Sequence, residues 1–179
     1  MTSRTVLFFV IAVFAGCTSS ENKALEAIKQ KESTLYSEDT KNFKFDEKQA
    51  RETIAAYEDF AQKFPESKQT PEMLLKAADL HRSVKEYDLA LNLYKTIETQ
   101  YPDFEKMAQV IFLEGFVYEN ELFKLEKAKE RYELFLKNYP DHELADDVRF
   151  SLQNLGKSPE EIIKGFERET EVANDSTPS

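Results

Sequence analysis

An all-α fold, a solenoid of stacked antiparallel helix pairs, follows from three observations on this sequence. The first is a repeat. Tyr57-x-x-Phe60-x-x-x-Phe64-Pro65 returns as Tyr94-x-x-Ile97-x-x-x-Tyr101-Pro102 and again as Tyr132-x-x-Phe135-x-x-x-Tyr139-Pro140, 37 and then 38 residues apart. Within each copy the apolar positions advance by three and four, which puts them on one helical face. The closing proline ends each helix, because it lacks an amide donor and its ring clashes with the preceding turn. The second observation is a set of small residues at fixed places. Thr53, Ala90 and Ala128 stand twelve residues before the three prolines, and Ala78, Gly115 and Gln153 stand thirteen after them. A small side chain at such a place lets two helix axes approach closely. The third is composition: 41% hydrophobic and 32% charged residues, with four Gly and six Pro in 179, describe one helical domain with short tails. A domain of about 150 residues buries roughly 68–70% of its unfolded surface, so it folds without a disulfide or a metal.

At the N-terminus, Arg4 precedes an unbroken apolar run over residues 6–15. A bilayer core takes about 20 apolar residues, whereas the apolar region of an export signal takes about 7–15. The run therefore reads as a signal. It ends in Phe14-Ala15-Gly16-Cys17, and Cys17 is the only cysteine. This ending resembles the bacterial lipobox, with Phe14 standing where leucine is usual. The resemblance implies that residues 1–16 are a lipoprotein signal peptide and that Cys17 receives a diacylglyceryl group and an acylated amino group. Two or more chains anchor a protein stably where one binds only marginally. The expected location is the bacterial cell envelope, lipid-anchored in the outer membrane and facing the periplasm. Residues 17–45 read as a lipidated tether, polar and without structure over 18–23, with a short amphipathic helix over 22–36.

The helical domain is expected over residues 46–169. Asp46-Glu47-Lys48-Gln49 opens the helix that ends at Phe64. Thr70-Pro71, a capping residue and a first-turn proline, opens a helix to about 84. Further helices are expected at about 88–101, 104–120, 125–139 and 143–155, the last closed by Gly156. Ser158-Pro159-Glu160-Glu161 has the pattern of a capping box and starts another helix. Residues 170–179 are polar and read as a disordered tail.

The order of small residue, aromatic and proline resembles the tetratricopeptide repeat over residues 46–155. The usual period of that family is 34. Here three extra residues follow Pro65 and Pro102, and one more falls before Ala128. Gln153, in place of a small residue, marks a degenerate final unit expected to cap the array with a polar outer face. Repeats behind a lipobox are similar to the lipoprotein of the outer-membrane β-barrel assembly machinery and to envelope repeat proteins that work with the Tol–Pal system. The resemblance implies a non-catalytic scaffold or adaptor that binds other envelope proteins, with a permanently packed structural subunit as the alternative. It also implies a protein-binding groove on the first helix of each pair. Alignment places Glu72, Leu75, Asp79 and Arg82 there in one repeat, and Gln109, Phe112, Phe116 and Glu119 in the next. Phe112 and Phe116, one turn apart, are candidate aromatic anchors, and a shift of one residue in register would bury them as core instead.

The remaining residues point away from chemistry. The net charge of −10 lacks the concentrated basic face that nucleic acid requires. His81 and His142 are the only histidines, without metal-ligand spacing, and no nucleophile elbow, P-loop or dinucleotide fingerprint occurs. No cofactor is expected. His81 stands where the repeat family places a core aromatic and reads as a satisfied core residue, and His142 reads as an exposed loop residue. Asp141, Glu143, Asp146 and Asp147 lack the glycine-containing calcium loop and read as acids favouring a helix N-terminus.

Overall fold

The computed structural model describes the backbone of residues 11–35 and 46–175 and the side chains of 19–35 and 46–168. Residues 1–10 and the Cys17 side chain lie outside these, and with them the readings of export signal and lipidation. The described residues form helices α1 (Ile11–Leu35), α2 (Glu47–Lys63), α3 (Thr70–Ser83), α4 (Tyr87–Gln100), α5 (Met107–Phe116), α6 (Leu125–Asn138), α7 (Ala145–Asn154) and α8 (Pro159–Asp175), with a π-helical turn over Val117–Glu121 after α5. Among the described residues no helix is long and apolar enough to cross a membrane. The fold is all-α and repetitive, as expected. The chain divides into two compact units, Met1–Phe104 and Glu105–Ser179.

In the first unit α2 packs on both α1 and α3, and α4 packs on α3. Ile28 of α1, Tyr57 and Phe60 of α2, and Met73, Ala77 and Leu80 of α3 share one buried cluster. Each large apolar side chain withdrawn from water contributes about 1.5–3 kcal/mol. The α1 helix thus supplies the first helix of the pair completed by α2. It also continues through residues 18–23, where no structure was expected. Glu21 accepts a 2.5 Å hydrogen bond from the Ser67 hydroxyl, and a helix nucleated by the packed stripe at Ala24, Leu25 and Ile28 extends at little further cost.

Cap chemistry sets three of the boundaries. The Asp46 carboxylate accepts from the Gln49 amide at 3.1 Å and starts α2. At α8 the box is reciprocal: the Ser158 amide donates to Glu161 at 2.7 Å, and the Glu161 amide donates to the Ser158 hydroxyl at 3.3 Å. Gly156 follows α7 with φ of +77°, a left-handed stop. Thr70 departs from its expected capping role, since Gln69 is the residue before the helix and Pro71 lies in the first turn. The buried Thr70 hydroxyl instead donates to the Phe64 carbonyl at 2.5 Å, tying the start of α3 to the end of α2.

The second unit shows where the extra residue before Ala128 goes. In the first unit the turn from α3 to α4 passes through Lys85, with φ of +63°, and the Glu86 amide closes on the His81 carbonyl five residues back at 2.8 Å. The corresponding turn from α5 to α6 passes through Phe123, with φ of +53°, and the Lys124 amide closes on the Tyr118 carbonyl six residues back at 2.7 Å. One residue more is enclosed, and the end of the first helix takes it up as the π turn. Beyond α6 the final helices differ from expectation twice. Helix α8 runs to Asp175, past residue 169, and the last two helices expose Phe150, Ile163 and Phe166 among polar side chains such as Gln153, Lys164 and Glu167, so their outer surface is mixed rather than purely polar.

Candidate functional site

A hydroxyl-to-carboxylate bond recurs in each pair. The repeat tyrosines Tyr57, Tyr94 and Tyr132 are all buried. A buried phenol needs an acceptor, and the preceding helical segment supplies one each time. Tyr57 donates to Glu32 of α1 at 2.7 Å, Tyr94 to Asp79 of α3 at 3.4 Å, and Tyr132 to Glu119 of the π turn at 2.7 Å. Burial first, and then the neighbouring carboxylate, pushes Tyr94 and Tyr132 well above the ordinary phenol value, so both remain donors. Asp79 and Glu119 were placed on the groove from sequence, and they are half-buried supports of the repeat as well.

The other groove candidates divide by exposure. On α3, Leu75 is only 3% exposed and belongs to the core, which removes it from any accessible surface. Its place in the apolar run Met73-Leu74-Leu75 buries it. Glu72 and Arg82 are half-buried, and Arg82 lies 3.4 Å from Asp79. On α5, Gln109, Phe112 and Phe116 are half-buried. The Phe112 ring lies 6.4 Å from Phe116 and 6.3 Å from Tyr132, each tilted. Phe112 therefore leans on the repeat tyrosine and Phe116 on Phe112, while part of their surface stays accessible.

Three features had weaker sequence signals. His81 is buried, as its alignment with a core aromatic implied, and both ring nitrogens meet carboxylates: Nδ1 lies 2.7 Å from Glu86 and Nε2 3.1 Å from Glu58. Glu86 also pairs with Arg51 at 2.6 Å. The bonds from Arg51, first, and His81 hold the Glu86 carboxyl below its ordinary value. This network ties α2 to the turn between α3 and α4. The second feature is Glu114, buried on the largely apolar α5 and paired with Arg131 of α6. Its signal was available, since one acid interrupts Val110-Ile111-Phe112-Leu113. The third is His142, which is a loop residue but half-buried: its Nδ1 accepts from the Leu144 amide at 3.1 Å, and its ring stands edge-on to Phe135 at 5.6 Å.

Among the described residues, no group of three or more His, Cys, Asp or Glu is arranged to hold a metal ion. Within the acidic cluster, Asp146 pairs with Arg149 at 2.6 Å and Asp141, Glu143 and Asp147 are exposed.

Stacked helix pairs with partly open aromatic faces define an all-α helical-repeat protein. Residues 109–142, which span most of α5, the π turn, α6 and the turn after it, match the sequence model of the tetratricopeptide repeat. Such repeats generally mediate protein–protein interaction, and the fold is typically a non-catalytic module. No curated protein sequence matches the chain.

Proposed function

We propose that this chain is a protein-binding scaffold of the bacterial cell envelope, held by lipid on Cys17 in the outer membrane on its periplasmic side. The observation that carries the binding role is the half-buried Phe112–Phe116 pair on the helix pair that matches the repeat family. Aromatic anchors of this kind dominate interface energetics. The Phe14-Ala15-Gly16-Cys17 ending of an apolar run supports the lipid anchor. The partners are other envelope proteins, engaged as a peptide or helix through Phe112, Phe116 and the neighbouring Gln109 and Glu119. Barrel-assembly and Tol–Pal components are the first candidates.

Cross-linking in intact cells, followed by capture and mass spectrometry of the bound proteins, tests this reading. A reproducible envelope partner should be recovered from the unaltered strain and lost when Cys17→Ser abolishes lipidation. It should also be lost in a folded Phe112→Ala, Phe116→Ala variant. Unchanged mass and membrane fractionation in Cys17→Ser would refute the anchor, and unchanged capture by the double variant would refute the binding face. A second reading, a subunit packed permanently into a larger complex, is favoured by the exposed Phe123, Phe150 and Phe166. Irreversible self-association of the isolated chain would favour that reading.

A further inference from the structure

The α7–α8 pair presents a surface that the repeat does not account for. Phe150 and Phe166 are 46% and 51% exposed, yet their rings stack 6.2 Å apart with planes only 6° from parallel. They border a cleft of about 310 Å³ whose lining also includes Ile162, Lys157, Lys164 and Arg168. Contiguous apolar surface on a water-exposed chain marks an interaction site. The charge around it is distinctive. Lys157 bonds to the Asn154 side chain at 3.2 Å and Arg168 to the Lys164 carbonyl at 3.1 Å, and neither bond neutralises a charge. The acid in the cleft, Glu161, is engaged in the capping box at Ser158 and is also reached by the charges of Lys157 and Lys164, which leaves three cations to one carboxylate in the lining. A basic rim around an apolar floor thus stands on a chain whose net charge is −10.

We propose that the α7–α8 cleft docks an acidic amphipathic helix of another protein. Its apolar stripe would lie on Phe150 and Phe166, and its carboxylates would meet Lys157, Lys164 and Arg168. A helix fits because a groove of this kind, apolar along its floor and charged at its rim, reads anchors at helical spacing. A second copy of this chain brings the same net charge of −10 and is opposed by long-range repulsion. Neither Cys17 nor the Phe112–Phe116 pair takes part, so this inference holds or fails separately from the function proposed above.

The test uses the purified full chain and two labelled helical peptides with the same Leu and Phe stripe, one flanked by Glu and one by Lys, read by fluorescence anisotropy. The Glu peptide should bind saturably and more weakly as salt rises, and the Lys peptide about tenfold more weakly, a difference of about 1.4 kcal/mol. Phe166→Ala and the pair Lys164→Glu, Arg168→Glu should each raise the Kd for the Glu peptide about tenfold. Both alter exposed positions, and circular dichroism verifies their folding. Lys95→Glu, on the exposed side of α4, should leave the Kd unchanged. Absent saturable binding, equal affinity for both peptides, or indifference to both variants would overturn the proposal. Concentration-dependent dimerisation in sedimentation that Phe166→Ala abolishes would overturn it too, in favour of a second copy as occupant.

Discussion

A Cβ built on Gly115 would stand 2.5 Å from Cε1 and 2.7 Å from Cδ1 of Tyr132, a ring with no exposed surface. That ring cannot swing aside cheaply, because its hydroxyl is held by Glu119 and Phe112 lies against it. Replacing a helical glycine by alanine ordinarily gains up to about 1 kcal/mol, whereas overpacking a core costs about 1–3 kcal/mol. Gly115→Ala should therefore lower stability by about 1 kcal/mol or more in urea unfolding. Gly165→Ala, with nothing within 4 Å of its Cβ, should raise stability instead. Equal shifts of one sign would contradict the packing account. Tyr132→Phe leaves the ring and removes the bond to Glu119, at a cost of about 1.5–3 kcal/mol by the same measurement. The small position at 115 was legible because it recurs at a fixed distance from a proline. Its need for glycine was not, since that depends on where the ring lands. The acceptors Asp79 and Glu119 stand one and four residues after their small residues, so no common spacing announced them. Leu75 was misplaced for a related reason: alignment fixes a position along the helix but not the exact direction in which its side chain is buried.

The two αL residues show how an element tolerates an insertion. Lys85 and Phe123 each stand five residues before a buried alanine and both have positive φ. A left-handed backbone costs a residue with a Cβ about 1–2 kcal/mol, and glycine escapes most of that cost. Phe123 is 77% exposed and loses little packing when removed. Phe123→Gly should thus raise the unfolding midpoint, and a lowered midpoint would show that the phenyl ring has a packing role. The extra residue before Ala128 was countable in the sequence, but its absorption as a π turn was not, because any of several turns could have bulged. The pairing of α1 with α2 was also hidden, since α1 lacks the proline that punctuates the second helices. Its docking rests partly on Glu32, which accepts from Lys76 and Tyr57, each at 2.7 Å. Burial alone would raise this carboxyl, but those bonds outweigh it and hold the group below its ordinary value of 4.5. A carboxyl lowered on folding stabilises fully above its unfolded value and loses that contribution as pH falls through the folded one. Below pH 4.5, amide exchange in α1, corrected for intrinsic rate, should therefore accelerate relative to α4. Glu32→Gln should accelerate it already at neutral pH and flatten the acid dependence. Unchanged exchange of α1 between neutral and acid pH would contradict the role of Glu32.

At the scale of the whole molecule, the repeat period runs through residues 104 and 105 without interruption, so the sequence pattern carries no mark of the division into two compact units. The charge balance was directly readable, and the structure adds how the cations are used. Arg51 pairs with Glu47 and Glu86, Lys63 with Asp59, Lys76 with Glu32, Arg131 with Glu114, and Arg149 with Asp146. A cation already facing a carboxylate gains little from a phosphate, because it must surrender one partner for another. Lys157, Lys164 and Arg168 of the α7–α8 cleft share it with a single acid, Glu161, which the charges of Lys157 and Lys164 reach, but three contacts are few beside the 6–10 that give a protein strong, salt-dependent affinity for a duplex. They are also set on a chain with 34 acidic and 24 basic residues, whose field repels a polyanion before contact. In a gel-shift assay at micromolar protein and low salt, duplex DNA and single-stranded RNA should migrate unchanged. The acidic helical peptide, by contrast, should bind under the same conditions, because it brings an apolar stripe to Phe150 and Phe166 that a phosphate backbone lacks. A salt-sensitive shift of either nucleic acid, abolished by Lys164→Glu with Arg168→Glu, would show that charge alone suffices at the cleft and that the aromatic pair is incidental to what binds there.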